Sequence, residues 1–281
     1  MHTPLQMATN NAISEVEIMC GIAGIVGRGS VSKKLLSSIK NLEYRGYDSC
    51  GFATIFQGEI QVRKNVGNID EVNAKEKFLE LKGNTGIAHT RWATHGGVTK
   101  DNSHPHTSCH GDFVLAHNGI ISNYARLKKE LIGRGHRFTS ETDTEVIVHL
   151  LEEHYSETHD VEKALLKTIR EDLEGTYAFA FMTTHDPERI FCTRKESPLV
   201  LGIGDDGIYL GSDVSAFIEY TRNVVYLNDG EYAAIGKDHY FIKNTLSGDP
   251  IERQMSRIDW DFEETKKGGY PHFMLKEIHQ G

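Results

Sequence analysis

Residues 19–27 read MCGIAGIVG, a methionine and a cysteine set directly ahead of a small, apolar run with the composition of a buried strand. A cysteine behind an internal methionine is ordinarily a coincidence. It gains a chemical meaning if Met19 starts the biological chain, because removal of methionine before a small residue leaves Cys20 with a free α-amino group. Such an amine has a pKa of about 7.7–8.0, so part of it is unprotonated near neutrality and can take the proton of the thiol in the same residue, directly or through one water. A peptide bond at that nitrogen abolishes its basicity. Residues 1–18 (MHTPLQMATNNAISEVEI), if retained, therefore silence such a catalyst, and Gly21 keeps side-chain bulk away from the centre.

The 281 residues, 38% apolar and 25% charged, suit a soluble globular protein with a substantial core. No apolar run approaches the roughly 20 residues that cross a bilayer, and the N-terminus lacks the basic head and greasy centre of a signal peptide. A cytoplasmic protein with no membrane partner is expected. The net charge of −9 argues against a nucleic-acid partner held through phosphates. Cys20, Cys50, Cys109 and Cys192 are widely spread with no CxxC pair, which suits a reducing compartment and indicates no disulfide framework. Of 15 histidines, His89, His95, His104, His106 and His110 lie close in sequence. The run HPHTSCH lacks the helical spacing of HExxH, so these are read as loop histidines bonded to backbone, and no metal site is expected.

Strand-like runs include IAGIV, GFATIF, GIAHTR and FVLAHNG, then YAFAFM, RIFC, PLVLGI, GIYLG, VVYL and EYAAI. Gly204-Asp205-Asp206-Gly207 and Asn228-Asp229-Gly230 read as hairpin turns between antiparallel neighbours. Four helical patterns accompany them. Leu35, Ile39 and Leu42 form the first stripe; Tyr124, Leu127 and Leu131 the second; Val161, Leu165, Ile169 and Leu173 the fourth. The third has Thr142 as N-cap and Glu145 three residues on, the pattern of a capping box ahead of Val146 and Ile147. Helices in pairs and strands in hairpin runs predict α+β with antiparallel sheets. The charged tail after Arg253 fits either the approach to a further domain or an arm packed on the surface.

Six motifs occur in order: MCGIAG, LEYRGYDSCG (42–51), GIAHTRWATHG (86–96), NSHPH (102–106), AHNGIISNY (116–124) and SETDTEV (140–146). Together they resemble the glutaminase domain of glucosamine-6-phosphate synthase, a class-II, N-terminal-nucleophile glutamine amidotransferase. The resemblance spans residues 20 to about 275. It implies an N-terminal-nucleophile hydrolase fold, a four-layer αββα sandwich with two antiparallel sheets. It divides the chain into an extension of residues 1–19 (flexible, or added by cloning), an amidotransferase domain over 20–260, and a linker beginning at 261–281 toward sugar-isomerase domains.

The resemblance also implies residue roles. Cys20 attacks the side-chain amide of L-glutamine to form a γ-glutamyl thioester, its own amine passing the proton to departing ammonia. Asn118 and the Gly119 N–H hold the oxyanion, where each donor is worth a few kcal/mol; alone, Asn-Gly reads as a tight turn. Arg91 takes the substrate carboxylate with its planar fork. Asp143 takes the ammonium, although an acid at a helix start is common for dipole reasons alone. Thr94 and His95 line the pocket, and Trp92 gates the ammonia route, a role that composition alone would give to a core tryptophan. Arg45 braces the nucleophile, or alternatively forms an ion pair with Glu43 or Asp48. No cofactor is implied. The full-length family member is expected to be a homodimer whose isomerase domains receive the ammonia and bind fructose 6-phosphate, and no glycine-rich phosphate cradle for that sugar occurs in these residues. Two other readings stand beside this one: an independent amidotransferase subunit serving another acceptor, and a non-catalytic glutamine-binding module whose Cys20 stays blocked.

Overall fold

The structure, a computed structural model, describes residues 20–93 and 96–259. Fourteen strands form two sheets, and every pairing between them is antiparallel among the described residues. The first sheet uses β1 (Gly21–Gly27), β2 (Ser49–Phe56), β3 (Glu59–Val66), β4 (Thr85–Arg91), β9 (Val200–Gly204), β10 (Gly207–Gly211), β11 (Asn223–Tyr226) and β14 (Ser256–Arg257). Its spatial order is β14-β11-β9-β10-β1-β4-β2-β3. The second sheet uses β5 (His106–Thr107), β6 (Phe113–Ile121), β7 (Gly175–Thr183), β8 (Asp186–Lys195), β12 (Glu231–Ile235) and β13 (Tyr240–Asn244), in the order β13-β12-β8-β7-β6-β5.

Period-2 patterning explains the layering. In β7 the odd positions Tyr177, Phe179 and Phe181 pack under helices, while Ala178, Ala180 and Met182 face the other sheet. In β1, Ile22 and Val26 face the second sheet, and Ala23 and Ile25 face outward. Three apolar cores result. One lies between the first sheet and α1 (Ser32–Lys40) and α2 (Ile69–Glu76); one lies between the sheets; the third joins the second sheet to α3 (Tyr124–Gly133), α4 (Glu145–Thr158) and α5 (Val161–Lys167). Three cores separate four layers, the αββα sandwich that the resemblance implied.

The structure corrects several local readings. Gly204–Gly207 closes the β9–β10 hairpin as expected. Asn228-Asp229-Gly230 does not close one: β11 before it pairs with β9, whereas β12 after it pairs with β8 and β13. The turn, with Gly230 at φ +78°, carries the chain from one sheet to the other, so Val225 and Ala233 meet across the sandwich core. The capping box is also absent. α4 begins at Glu145 behind Thr144, whose side chain makes no cap. Thr142 Oγ1 instead pairs with Ser140 and His106, and the Glu145 carboxylate accepts from Thr139 and Ser140 N–H. Burial of this turn gives the polar groups side-chain partners in place of the helix N–H groups. The fourth helical stripe is α5 followed by a π-turn over Thr168–Asp172. Neither β3, whose alternation is masked by charges at a sheet edge, nor α2 was anticipated, although Asn68 caps Glu71 N at 3.0 Å in a readable N-x-x-E pattern.

Candidate active site

β1 lies between β4 and β10, and its register sets Gly21 opposite Thr90. Cys20 therefore falls beside the residues that follow the end of β4. The Trp92 N–H donates to Cys20 Sγ at 3.2 Å, and the thiol reaches the Trp92 carbonyl at 3.4 Å. Arg91, buried at 4% exposure, closes β4 and pairs in register with Ser49 of β2. A Cβ on Gly21 would sit 2.8 Å from Leu42 Cβ and 2.9 Å from the Thr90 methyl, so the residue behind the cysteine has no room for a side chain.

The second sheet supplies the opposing wall through β6. Asn118 Nδ2 donates to the Cys20 carbonyl at 2.7 Å, and Asn118 Oδ1 lies 3.0 Å from His89 Nε2. An amide oxygen only accepts, so His89 must carry its proton on Nε2. Burial holds the His89 ring far below the usual histidine range, at about 3, so it stays a neutral donor. Gly119 follows at φ +118°, and a Cβ there would lie 2.3 Å from the Thr176 carbonyl oxygen. Glycine is required at this point of closest approach.

The Cys20 thiol is half-buried, and its acidity reflects that. Desolvation pushes it up to about 11, against the Trp92 N–H and the Arg91 guanidinium, which favour thiolate; the Asp48 carboxylate adds to the rise. Such a thiol needs a base at the moment of attack. Asp48 itself accepts from Ala93 N and Ser49 Oγ, and its own N–H donates to the Arg91 carbonyl at 3.1 Å. The LEYRGYDS segment thus supports the 91–93 peptide from beneath.

The remaining sites anticipated from sequence fall as follows. Arg91 donates to the Gly97 carbonyl at 3.3 Å and approaches that of Gly96 at 3.5 Å. Asn102 Nδ2 also donates to the Gly97 carbonyl, and Asn102 Oδ1 accepts from Glu141 N at 2.8 Å. This chain of bonds ties Arg91 to the turn that carries Asp143. Asp143 Oδ2 accepts from Ile121 N at 2.8 Å, at the end of the strand that bears Asn118. Asp143 precedes α4 by two residues and so is not in its first turn. Trp92 packs edge-on against Tyr47, with ring centroids 5.2 Å apart. Arg45 pairs with Asp213 at 3.4 Å; Glu43 caps Ile69 N. Ser212, next to Asp213, exchanges bonds with both backbone groups of Ile22, so Arg45 acts on the start of β1 from one residue away. Thr94 and His95 lie outside the described residues.

Sequence reading missed His89, His104 and His117 as structural parts of this site. His89 is in β4 and His104 stacks on it at 4.2 Å. His104 Nδ1 accepts from His117 N, and His117 Nδ1 meets Thr144 Oγ1 at 2.9 Å. His104 and His106 are buried, with most of their bonds to side chains, which corrects the expectation of loop histidines on backbone. Desolvation first, then neighbouring histidines or Lys64, drives both rings well below their ordinary pKa. A polar residue alternating inward on a buried strand, as His89 does, is the signal that could have found it.

Comparison with known proteins agrees with this geometry. Residues 89–219 match the family of glutamine amidotransferase domains. Over 262 residues the chain is 48% identical to the glutamine–fructose-6-phosphate aminotransferase [isomerizing] of Pyrococcus horikoshii, covering 93% of this chain and 44% of that protein. The corresponding enzyme of Thermococcus kodakarensis is also 48% identical, with 43% of its length covered. The chain therefore spans less than half the length of these relatives. Among solved structures, the glutamine phosphoribosylpyrophosphate amidotransferase of B. subtilis, complexed with ADP and GMP, superposes with a TM-score of 0.71 at 25% identity, covering 81% of this chain and 50% of that one. A structure described as the allosteric regulatory enzyme of purine biosynthesis gives 0.72 at 26%, covering 81% and 49%.

Proposed function

We infer that this chain, which carries a glutamine amidotransferase domain with the N-terminal-nucleophile fold, hydrolyses glutamine to glutamate and ammonia through Cys20. The observation that carries the reading is the meeting of Cys20 with Asn118 across the two sheets, 2.7 Å from amide nitrogen to carbonyl oxygen. Asn118 Nδ2 has two hydrogens, and one is used on Cys20. The second, with the Gly119 N–H, would hold the oxyanion as Sγ adds to the glutamine amide carbon. The proton of the thiol passes to the freed α-amine and then to the leaving nitrogen, which departs as ammonia and leaves a γ-glutamyl thioester. Water, deprotonated by the same amine, then releases glutamate. Arg91 would take the α-carboxylate in a forked pair and Asp143 the α-ammonium. Trp92, Thr94 and His95 would line the pocket.

The domain would run over 20–260, since β14 still pairs with β11 in the first sheet. In a longer protein like its relatives, the ammonia would serve glucosamine 6-phosphate synthesis from fructose 6-phosphate on isomerase domains, in a homodimer. The test is ammonia release from glutamine by protein whose Cys20 terminus is verified by mass spectrometry. Turnover is expected there, with at least a thousandfold less from protein retaining residues 1–19 and none from Cys20→Ala. Processed protein that binds glutamine without turnover would overturn the reading in favour of a binding module.

A further inference from the structure

We propose that Cys109, His136, His149 and Glu152 form a tetrahedral zinc site, remote in role from the glutamine chemistry. One ligand atom from each of the four lies within 4.8 Å of all the others. Cys109 Sγ is 3.7 Å from His136 Nδ1 and 3.6 Å from His149 Nδ1. Glu152 Oε2 is 3.5 Å from His136 Nδ1 and 4.0 Å from His149 Nδ1. With Zn–S near 2.3 Å and Zn–N or Zn–O near 2.0–2.1 Å, a tetrahedron has edges of about 3.5 Å from sulfur to nitrogen and about 3.3–3.4 Å among the lighter donors. The observed edges need a contraction of a few tenths of an ångström to receive the ion. One thiolate, two imidazoles and one carboxylate is a donor set that suits zinc and excludes magnesium or calcium, which take oxygen shells.

The surroundings are those of a metal site as well. Each histidine offers Nδ1 to the centre and turns its other nitrogen toward a carboxylate: His149 Nε2 lies 3.7 Å from Glu145 Oε1, and His136 Nε2 lies 3.5 Å from Glu153 Oε2. Such outer carboxylates fix the tautomer and orientation of ligating rings. The Arg137 N–H points at Cys109 Sγ from 3.2 Å, a donor that favours thiolate. His149 and Glu152 are buried, and Cys109 and His136 border a cavity of about 190 Å³ that gives an ion a way in. The ligands come from three separate places: the β5–β6 connection, the segment after α3, and one face of α4 at i and i+3. Zinc would therefore clamp the helix layer to the edge of the second sheet, just after the turn that carries Asp143. Binding releases the cysteine proton to solvent.

The test titrates chelator-stripped protein with Co²⁺ and then Zn²⁺. One equivalent of Co²⁺ should give intense tetrahedral visible bands and a near-ultraviolet sulfur-to-cobalt band, all removed by one equivalent of Zn²⁺. Cys109→Ser should abolish the near-ultraviolet band, His136→Ala should weaken zinc binding at least tenfold, and Cys20→Ala should leave both unchanged. Zinc should raise the Tm of the parent protein and not that of His136→Ala, a half-buried position at which circular dichroism checks folding. Weak octahedral cobalt bands in the parent, or a sulfur band that survives Cys109→Ser, would show a hydrogen-bonded cluster with no metal role and overturn the proposal.

Discussion

His89 never touches the reacting atoms in the proposed mechanism, yet it should control the rate through Asn118. Its Nε2–H meets Asn118 Oδ1 at 3.0 Å, with His89 fully buried and Asn118 at 4% exposure. His89→Leu fills most of the same volume and removes the donor. Leaving a buried amide oxygen unsatisfied costs about 1–3 kcal/mol. If Asn118 recovers part of this by rotating, its Nδ2 leaves the Cys20 carbonyl and the oxyanion position, and a loss of about 1–2 kcal/mol of transition-state binding is about 5–30-fold in kcat. Asn118→Ala, which deletes the donor, should cost about 10²–10³ in kcat. The decisive measurement is the double variant, assayed for ammonia release with a verified Cys20 terminus. Since His89 acts only through Asn118, the double variant should be no slower than Asn118→Ala alone. His89→Gln, whose amide N–H can reach the same oxygen, should restore most of the rate, with KM little changed throughout. Multiplying losses in the double variant, or no rescue by glutamine, would refute the coupling.

Three further outcomes follow from the geometry. Gly119→Ala meets both a positive φ and the Thr176 carbonyl, so it should cost about 2 kcal/mol or more and lower Tm by roughly 4–8 °C, whereas Gly111→Ala, at φ +74° with no atom within 4 Å of its Cβ, should cost only the backbone strain; thermal melts compare the two. Arg91→Lys keeps the charge but loses the fork, and should raise KM for glutamine more than it lowers kcat; equal effects would point to a role in folding. Burial depresses His89, His104 and His106, so the folded state holds fewer protons than the unfolded one below the unfolded value near 6.5. Their contribution is complete above that pH and is lost as pH falls toward the folded values. Denaturant titrations between about pH 6.5 and 5 should show stability falling by about 1.4 kcal/mol per pH unit for each of the three. His89→Gln should make that slope shallower.

The sequence by itself determined the layers and the nucleophile. Alternation in GIAGIVG and in YAFAFM told which residues face the other sheet, because a strand places successive side chains on opposite faces whatever surrounds it. The ordered motifs brought Cys20, Arg91, Asn118 and Asp143 to notice, because each is embedded in a local pattern that survives as one-dimensional spacing. Only the tertiary structure decided which sheet a strand joins. Asn228–Gly230 has hairpin chemistry, yet the strand after it pairs in the other sheet, since pairing depends on which edge is open when the sandwich closes. Partnership between side chains was equally hidden: His89 holds Asn118 across 29 positions, and Cys109 meets His136 and His149 across 27 and 40. Spacing in HPHTSCH argued against a metal because the ligand atoms that surround Cys109 come from two other segments. Long-range contacts such as these are fixed by the packing of helix on sheet, and the chain carries no local trace of them.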